Sequence, residues 1–164
     1  MDFVRTGKKC FTINGRHISL RGLGIGTWLN LEHFMIGLPG TDEMIRSAFN
    51  DVYPSAVSDI FFDRFTHNFI NENDFAFLKA CGINFLRVPF NYRLFINDNH
   101  PDEILGSGFL IFDELFRLGR KYDIYMMPDL HTVPGGQNPD WHSDNSTGIP
   151  LFWKYELFRK QMSK

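Results

Sequence analysis

The stretch DLHTVPGGQNPDWHSDN, residues 129 to 145, gathers two histidines, three aspartates, two asparagines, a glutamine and a tryptophan. Asp129 and His131 are two apart, so on a strand their side chains leave the same face. Three chemistries can be weighed. Asp-x-His admits a metal site with His142, Asp140 or Asp144 as further ligands, but the Asn, Gln and Gly around them are poor ligands for a transition metal. A phosphate cradle needs a longer glycine-rich loop and a lysine, and PGGQN has neither. A hydroxyl-rich ligand needs paired donors and acceptors beside an apolar ring face, and amide, imidazole, carboxylate and indole supply them. The loop is therefore expected to hold a sugar, with a structural role for His131 and the metal site as alternatives.

Two other positions could serve the same ligand. Arg87 lies inside the apolar run FLRVPF, where a charge must be paired or reach water. Either Pro89 ends the strand and Arg87 is solvated, or an inward guanidinium orients carboxylates in a pocket. Trp28 and Glu32 of GTWLNLE follow the first predicted strand. Each can join the pocket, Trp28 otherwise packing in the core and Glu32 otherwise lying on the surface. Trp141, between Pro139 and His142, is expected at the ligand, and Trp153 is expected in the core. His17, His33, His67 and His100 are expected to be surface or structural residues.

The elements that carry these residues can be read from pattern. FTINGRHISL flanks Asn14-Gly15 with two short runs, the strongest short-range hairpin signal. A loop-like stretch, TWLNLEHFMIGLPGTDE, follows. Asn71 or Asn73 can cap a helix over DFAFLKACG that Gly82 ends, and INFLRVPF is a strand. Phe109, Phe112, Leu115, Phe116 and Leu118 have helical spacing, and IYMMPDL is a second apolar run. Ile149-Pro150 introduces a helix with Leu151, Tyr155, Phe158 and Met162 on one face. Apolar strands alternating with helices predict α/β architecture, a parallel sheet covered on both faces. Ligands bind at the C-terminal ends of such strands, so the loop after residue 130 is on the active face.

Composition narrows the partners. The net charge is -2 over 164 residues, with no basic stripe to neutralise a phosphate backbone or an anionic membrane. Neither nucleic acid nor a membrane is an expected partner. No apolar segment has the length of a membrane span, and MDFVRTGKKCFTING lacks the apolar core of a signal peptide, so a soluble, cytoplasmic chain is expected. Cys10 and Cys81 are too sparse for a disulfide framework and are expected as free thiols.

Three segments in order, RGLGIGTWLNLE (21 to 32), FLRVPFNY (85 to 92) and DLHTVPGGQN (129 to 138), resemble the N-terminal part of glycoside hydrolase family 5, especially its cellulase-like and exo-glucanase-like members. The resemblance implies a (β/α)8 TIM barrel, of which residues 1 to 164 would hold an N-terminal β-hairpin and about the first three βα units. It implies retaining hydrolysis of β-linked glucan or oligosaccharide by two glutamates, with no metal or cofactor. It makes Arg87 the support of the nucleophile's carboxylate, His131 a wall of the sugar subsite at the cleaved bond, and Glu32 a contact to the terminal sugar. Asn145 matches a substrate-contacting asparagine, and Asn138 and Trp141 share its loop. Thr27 stands where that family usually has glycine.

The family's acid/base glutamate follows an asparagine after the fourth strand, and its nucleophile ends the seventh, so both are expected beyond Lys164. Glu43, Glu72, Glu103, Glu114 and Glu156 fall in helical or linking segments. Retention needs two carboxyls roughly 5 to 5.5 Å apart, and Glu32 with Asp129 is the one pair on the right face. A third strand with an unpaired edge predicts an aggregation-prone polypeptide. A non-catalytic carbohydrate-binding fragment or pseudoenzyme, and a metal-dependent hydrolase using Asp129 and His131, are the rival functions.

Overall fold

The structure, a computed structural model, describes residues 3–163. Three short antiparallel strands come first, β1 (Arg5–Thr6), β2 (Phe11–Ile13) and β3 (Arg16–Ile18). The β2-β3 turn is the expected Asn14-Gly15 turn, with φ of 50° and 75° at its two residues. Positive φ at both central positions matches the twist of the two strands, which is why Asn-Gly works there.

Strand β4 (Gly22–Gly24) leaves this hairpin sheet and starts a second one. After it come a short helix α1 (His33–Ile36) and two longer helices, α2 (Asp42–Val52) and α3 (Ser55–Asn68). Thr41 caps α2 by accepting from Met44 N, and Pro54 separates α2 from α3. Helix α4 (Glu72–Ala80) opens with a capping box: Asn71 accepts from Asn73 N while Asp74 accepts from Asn71 N at 2.7 Å.

Strand β5 (Phe85–Asn91) follows, then a small ribbon of β6 (Ile96–Asn97) and β7 (His100–Ile104). Helix α5 (Gly106–Tyr122) returns the chain to β8 (Tyr125–Thr132). Strands β4, β5 and β8 form a parallel sheet in that order, with Gly24 opposite Arg87 and Pro89 opposite Asp129. The chain thus has α/β architecture with three consecutive βα units, and the described strands form part of a barrel wall and no closed barrel.

Helices α4 and α5 cover one face of this sheet. Leu86, Val88 and Phe75, all at 0% exposure, pack there with Phe112, Leu115, Leu118 and Ile124. Each such side chain contributes roughly 1.5–3 kcal/mol by leaving water. Coverage of both faces, expected from the apolar runs, is not found: Met127, in register with Arg87 on the face away from the helices, is exposed, because three strands are too few to close on themselves.

The C-terminal helix also differs from expectation. It is broken at Tyr155 into α6 (Leu151–Lys154) and α7 (Glu156–Gln161). The Arg159 guanidinium donates to the carbonyls of Phe152 and Trp153 at 3.1 and 2.7 Å, satisfying groups a continuous helix would have bonded internally. Trp153, expected in the core, is 64% exposed and donates its indole N–H to Gln137 O. Both cysteines are free thiols. No helix is long and apolar enough to cross a membrane among the described residues.

Candidate functional site

Arg87 lies in the middle of β5, so Pro89 does not end the strand at the arginine. Leu86 and Val88 face the helices, and strand alternation turns Arg87 to the open face. Gly24 lies opposite it on β4. Nη2 of Arg87 donates to Oδ2 of Asp129 at 2.5 Å and lies 3.1 Å from Nδ1 of His131.

The register between β5 and β8 slips after Phe90, so that Asn91 pairs with Thr132 and His131 is left over. Such a bulge re-aims side chains at a strand end. Here it leaves Nδ1 of His131 3.1 Å from Asp129, with the ring toward Glu32.

Glu32 arrives by a separate route. After β4 the chain keeps one parallel bridge to β5, Leu29 opposite Phe90, with Asn91 N donating to Leu29 O. Thr27 turns the backbone at φ 59°, and its hydroxyl accepts from Glu32 N at 3.0 Å. The glycine usual at this position in the resembling family would take that conformation without strain. Oε1 of Glu32, on a side chain only 12% exposed, ends 3.9 Å from Nε2 of His131. Trp28 beside it is core: it is buried, stacks on Phe69 and donates its N–H to Thr66 O at 2.8 Å.

The loop after β8 forms one wall. Gln137 donates to His131 O at 2.6 Å, and Asn138 accepts from Asp140 N while its amide lies 3.5 Å from His142 Nε2. The rings of His142 and His131 are 5.9 Å apart. Trp141 meets the edge of His33 at 4.0 Å and Phe34 at 5.4 Å. His33 is thus part of the site's rim, which sequence reasoning missed because α1 falls in a stretch read as loop.

The Asn145 side chain is buried and turned into the loop. Its amide donates to Asn138 O and Ile149 O, and its carbonyl accepts from Thr147 and Gly148, so all its groups shape the loop from behind. At Gly136 a side chain would strike Asn145 at 2.7 Å, which fixes how closely the two limbs of the loop approach. Asp144, weighed as a metal ligand, is instead held by Asn91 and Arg93. Among the described residues no three His, Cys, Asp or Glu side chains converge in a geometry that could hold a metal ion.

The structure therefore brings Glu32, Arg87, Asp129 and His131 together at the C-terminal ends of parallel strands, with Asn138, Trp141 and His142 beside them. Such an array can donate to and accept from several hydroxyls at once.

Comparison with known proteins agrees with that chemistry. No family model matches the chain. It is 42% identical over 157 residues to a β-xylosidase of Phanerodontia chrysosporium, covering 96% of this chain and 33% of that protein. It is 32% identical over 130 residues to glucan 1,3-β-glucosidase 2 of Wickerhamomyces anomalus, covering 73% of this chain and 30% of that one. The chain thus spans about a third of the length of these curated relatives. The crystal structure of rutinosidase from Aspergillus niger superposes with a TM-score of 0.69 at 19% identity, over 87% of this chain and 40% of that one, a likeness of fold. These curated relatives are glycosidases by name, and the chain is similar to about a third of each of them.

Proposed function

We propose that the chain forms the glycone-binding side of a retaining β-glycosidase of the family 5 type, acting on β-linked glucosides or xylosides. In this reading the (β/α)8 barrel, the acid/base glutamate and the nucleophile are completed beyond Lys164. Glu32, Arg87 and His131 act here on binding and orientation.

The supporting observation is the gap between Glu32 and His131. At 3.9 Å it is too long for a direct hydrogen bond. A single hydroxyl oxygen between them can meet both groups. Nδ1 of His131 is 3.1 Å from both Arg87, which only donates, and Asp129, whose carboxylate only accepts; in the tautomer that accepts from Arg87 the proton sits on Nε2. Nε2–H then donates to the sugar oxygen, and the sugar O–H donates to Glu32. Arg87 bridges Asp129 and His131 with the hydrogens of one nitrogen, fixing the ring against rotation. The sequence match to a β-xylosidase and to glucan 1,3-β-glucosidases supports a β-linked pyranoside as the ligand.

The test is hydrolysis of aryl β-glucoside, β-xyloside and β-cellobioside by this chain and by one extended through the downstream reading frame. Turnover by the extended chain alone supports the proposal. Turnover by the 164-residue chain would move catalysis to Glu32 and Asp129. Glycoside binding without turnover in either would favour a carbohydrate-binding pseudoenzyme, and activity that follows added metal would favour a metal-dependent hydrolase.

A further inference from the structure

Behind the sugar-facing loop lies a second cluster of charged groups, at whose centre two aspartates are almost closed to water. The Asp144 side chain is 1% exposed and that of Asp42 4%. Two buried carboxylates this close would repel each other strongly without compensation. Arg46 pairs with Asp42 at 2.7 Å, and the rest of the compensation comes from the turn after β5. Asn91 donates its amide to Asp144 at 2.8 Å and to Asp42 at 3.3 Å, and Arg93 pairs with Asp144 through Nη1. The remaining oxygen of Asp144 accepts from Glu43 N, at the start of α2, at 2.8 Å.

Arg93 is itself held in place. Its Nε donates to Asp98 at 2.6 Å, its Nη2 lies 3.5 Å from Glu43, and its backbone N–H donates to the side-chain Oδ1 of Asn91 at 3.1 Å. Asn30, 2% exposed, completes the cluster by accepting from Asn91 and donating to His142 O. The network ties together the end of β5, the N-terminus of α2 and the far limb of the loop that carries Trp141 and His142.

We propose that Asn91 and Arg93 are positioning residues for the glycone wall, setting the geometry of residues 133 to 148 through Asp144 without touching the sugar. This rests on the glycosidase reading above. The loop has no regular secondary structure beyond one turn of 3-10 helix at Trp141–Ser143. Its internal bonds, made largely by Asn145, give it a shape, and Asp144 gives that shape a fixed position against the sheet. Without the guanidinium, Asp144 is a buried anion whose remaining partners are neutral donors, and the cheapest relief is for the loop to move it into water.

The test compares Arg93→Gln and Arg93→Lys with the parent in the extended chain, by amide hydrogen exchange and by steady-state hydrolysis of the aryl glycoside. In Arg93→Gln, exchange of residues 133 to 148 is expected to rise at least about tenfold while α5 and β5 keep their protection, the size set by losing a charged hydrogen bond. KM is expected to rise about tenfold or more with kcat changed little, and Arg93→Lys to recover most of both. Loop exchange equal to the parent's, or an equal rise in α5, overturns the proposal. If Arg93→Gln does not fold, Arg93→Gln with Asp144→Asn leaves no buried unpaired anion; the charged anchor is still lost, so its loop exchange is expected above the parent's, and exchange equal to the parent's overturns the proposal. A loop that loosens in an extended chain with no glycoside turnover would refute the functional reading and leave the network's mechanical role standing.

Discussion

Nη2 of Arg87 and Oδ2 of Asp129 are 2.5 Å apart across neighbouring parallel strands, on the face of the sheet that carries no helix. Arg87 is 40% exposed there, so the pair adds little to stability, about 1 kcal/mol or less. Its importance is for orientation. Arg87→Ala frees both Asp129 and the His131 ring, and affinity for a glycoside is expected to fall between about tenfold and a hundredfold with the melting temperature nearly unchanged. Arg87→Lys keeps the charge, loses the shared nitrogen and should fall between. Isothermal titration with a non-hydrolysed glycoside, beside thermal melts, measures both.

Glu32 can be displaced without being mutated. A methyl group at Gly26 would lie 2.9 Å from Oε2 of Glu32 and 2.7 Å from Sδ of Met35. Both are ends of flexible side chains, so Gly26→Ala should cost under about 1 kcal/mol of stability. The displaced carboxylate no longer meets the hydroxyl shared with His131. Ligand affinity is expected to fall about tenfold, matching the loss in Glu32→Gln. Unchanged affinity in Gly26→Ala would remove Glu32 from the binding surface.

Thr27 sets two effects against each other. Its left-handed backbone costs a branched residue about 1–2 kcal/mol, and its hydroxyl regains about 1 kcal/mol through Glu32 N. Thr27→Gly removes both and is expected to leave stability within about 1 kcal/mol of the parent while loosening Glu32. Thr27→Ala keeps the strain, loses the hydrogen bond and should be destabilised by about 1 kcal/mol. Urea unfolding of the two variants separates strain from tether.

Asp42 gives a pH signature. Burial pushes its pKa above the ordinary carboxylate range, against the opposing pull of Arg46 2.7 Å away. The folded chain therefore holds this proton at pH values where the unfolded chain has released it, and stability from this group falls as pH rises through the elevated value. Asp42→Asn lacks that term. Its stability relative to the parent is expected to improve as pH rises above about 4, read from urea midpoints across a pH series. A difference that does not change with pH would show that Arg46 and Asn91 fully offset the burial.

Much of this arrangement is legible in the sequence where the chain decides its own local geometry. Asn14-Gly15 makes its turn, Asn71 with Asp74 makes its capping box, and the apolar spacing of Phe112, Leu115 and Leu118 finds the sheet. The quoted loop sits where parallel topology puts ligand loops. Helix α3 was not legible because it buries little: Ile60 and Phe61 are exposed, and no one-sided apolar stripe marks it, whereas α2 does carry such a stripe, with Ile45 buried, and could have been read from its spacing. The break at Tyr155 depends on Arg159 reaching back to two carbonyls, and the roles of Asn91, Arg93 and Asp144 depend on contacts over roughly 50 residues, specifically 53 and 51 positions apart. Asn145 matched a motif, but its amide serves the loop because Gly136 lets the two limbs come together.

The three tryptophans occupy three different surroundings. Trp28 is sealed beneath the Glu32 turn, Trp141 stands on the rim with imidazole edges of His33 and His142 at 4.0 and 5.5 Å, and Trp153 is mostly in solvent. Indole emission shifts to longer wavelength with water and is quenched by a neighbouring imidazolium. The chain therefore carries three built-in optical probes: a blue emitter that follows unfolding, a rim emitter between two imidazoles that follows occupancy of the rim, and a red emitter that serves as an internal standard. Replacing Trp153 with phenylalanine would leave a spectrum whose two remaining components separate folding from ligand arrival in one titration.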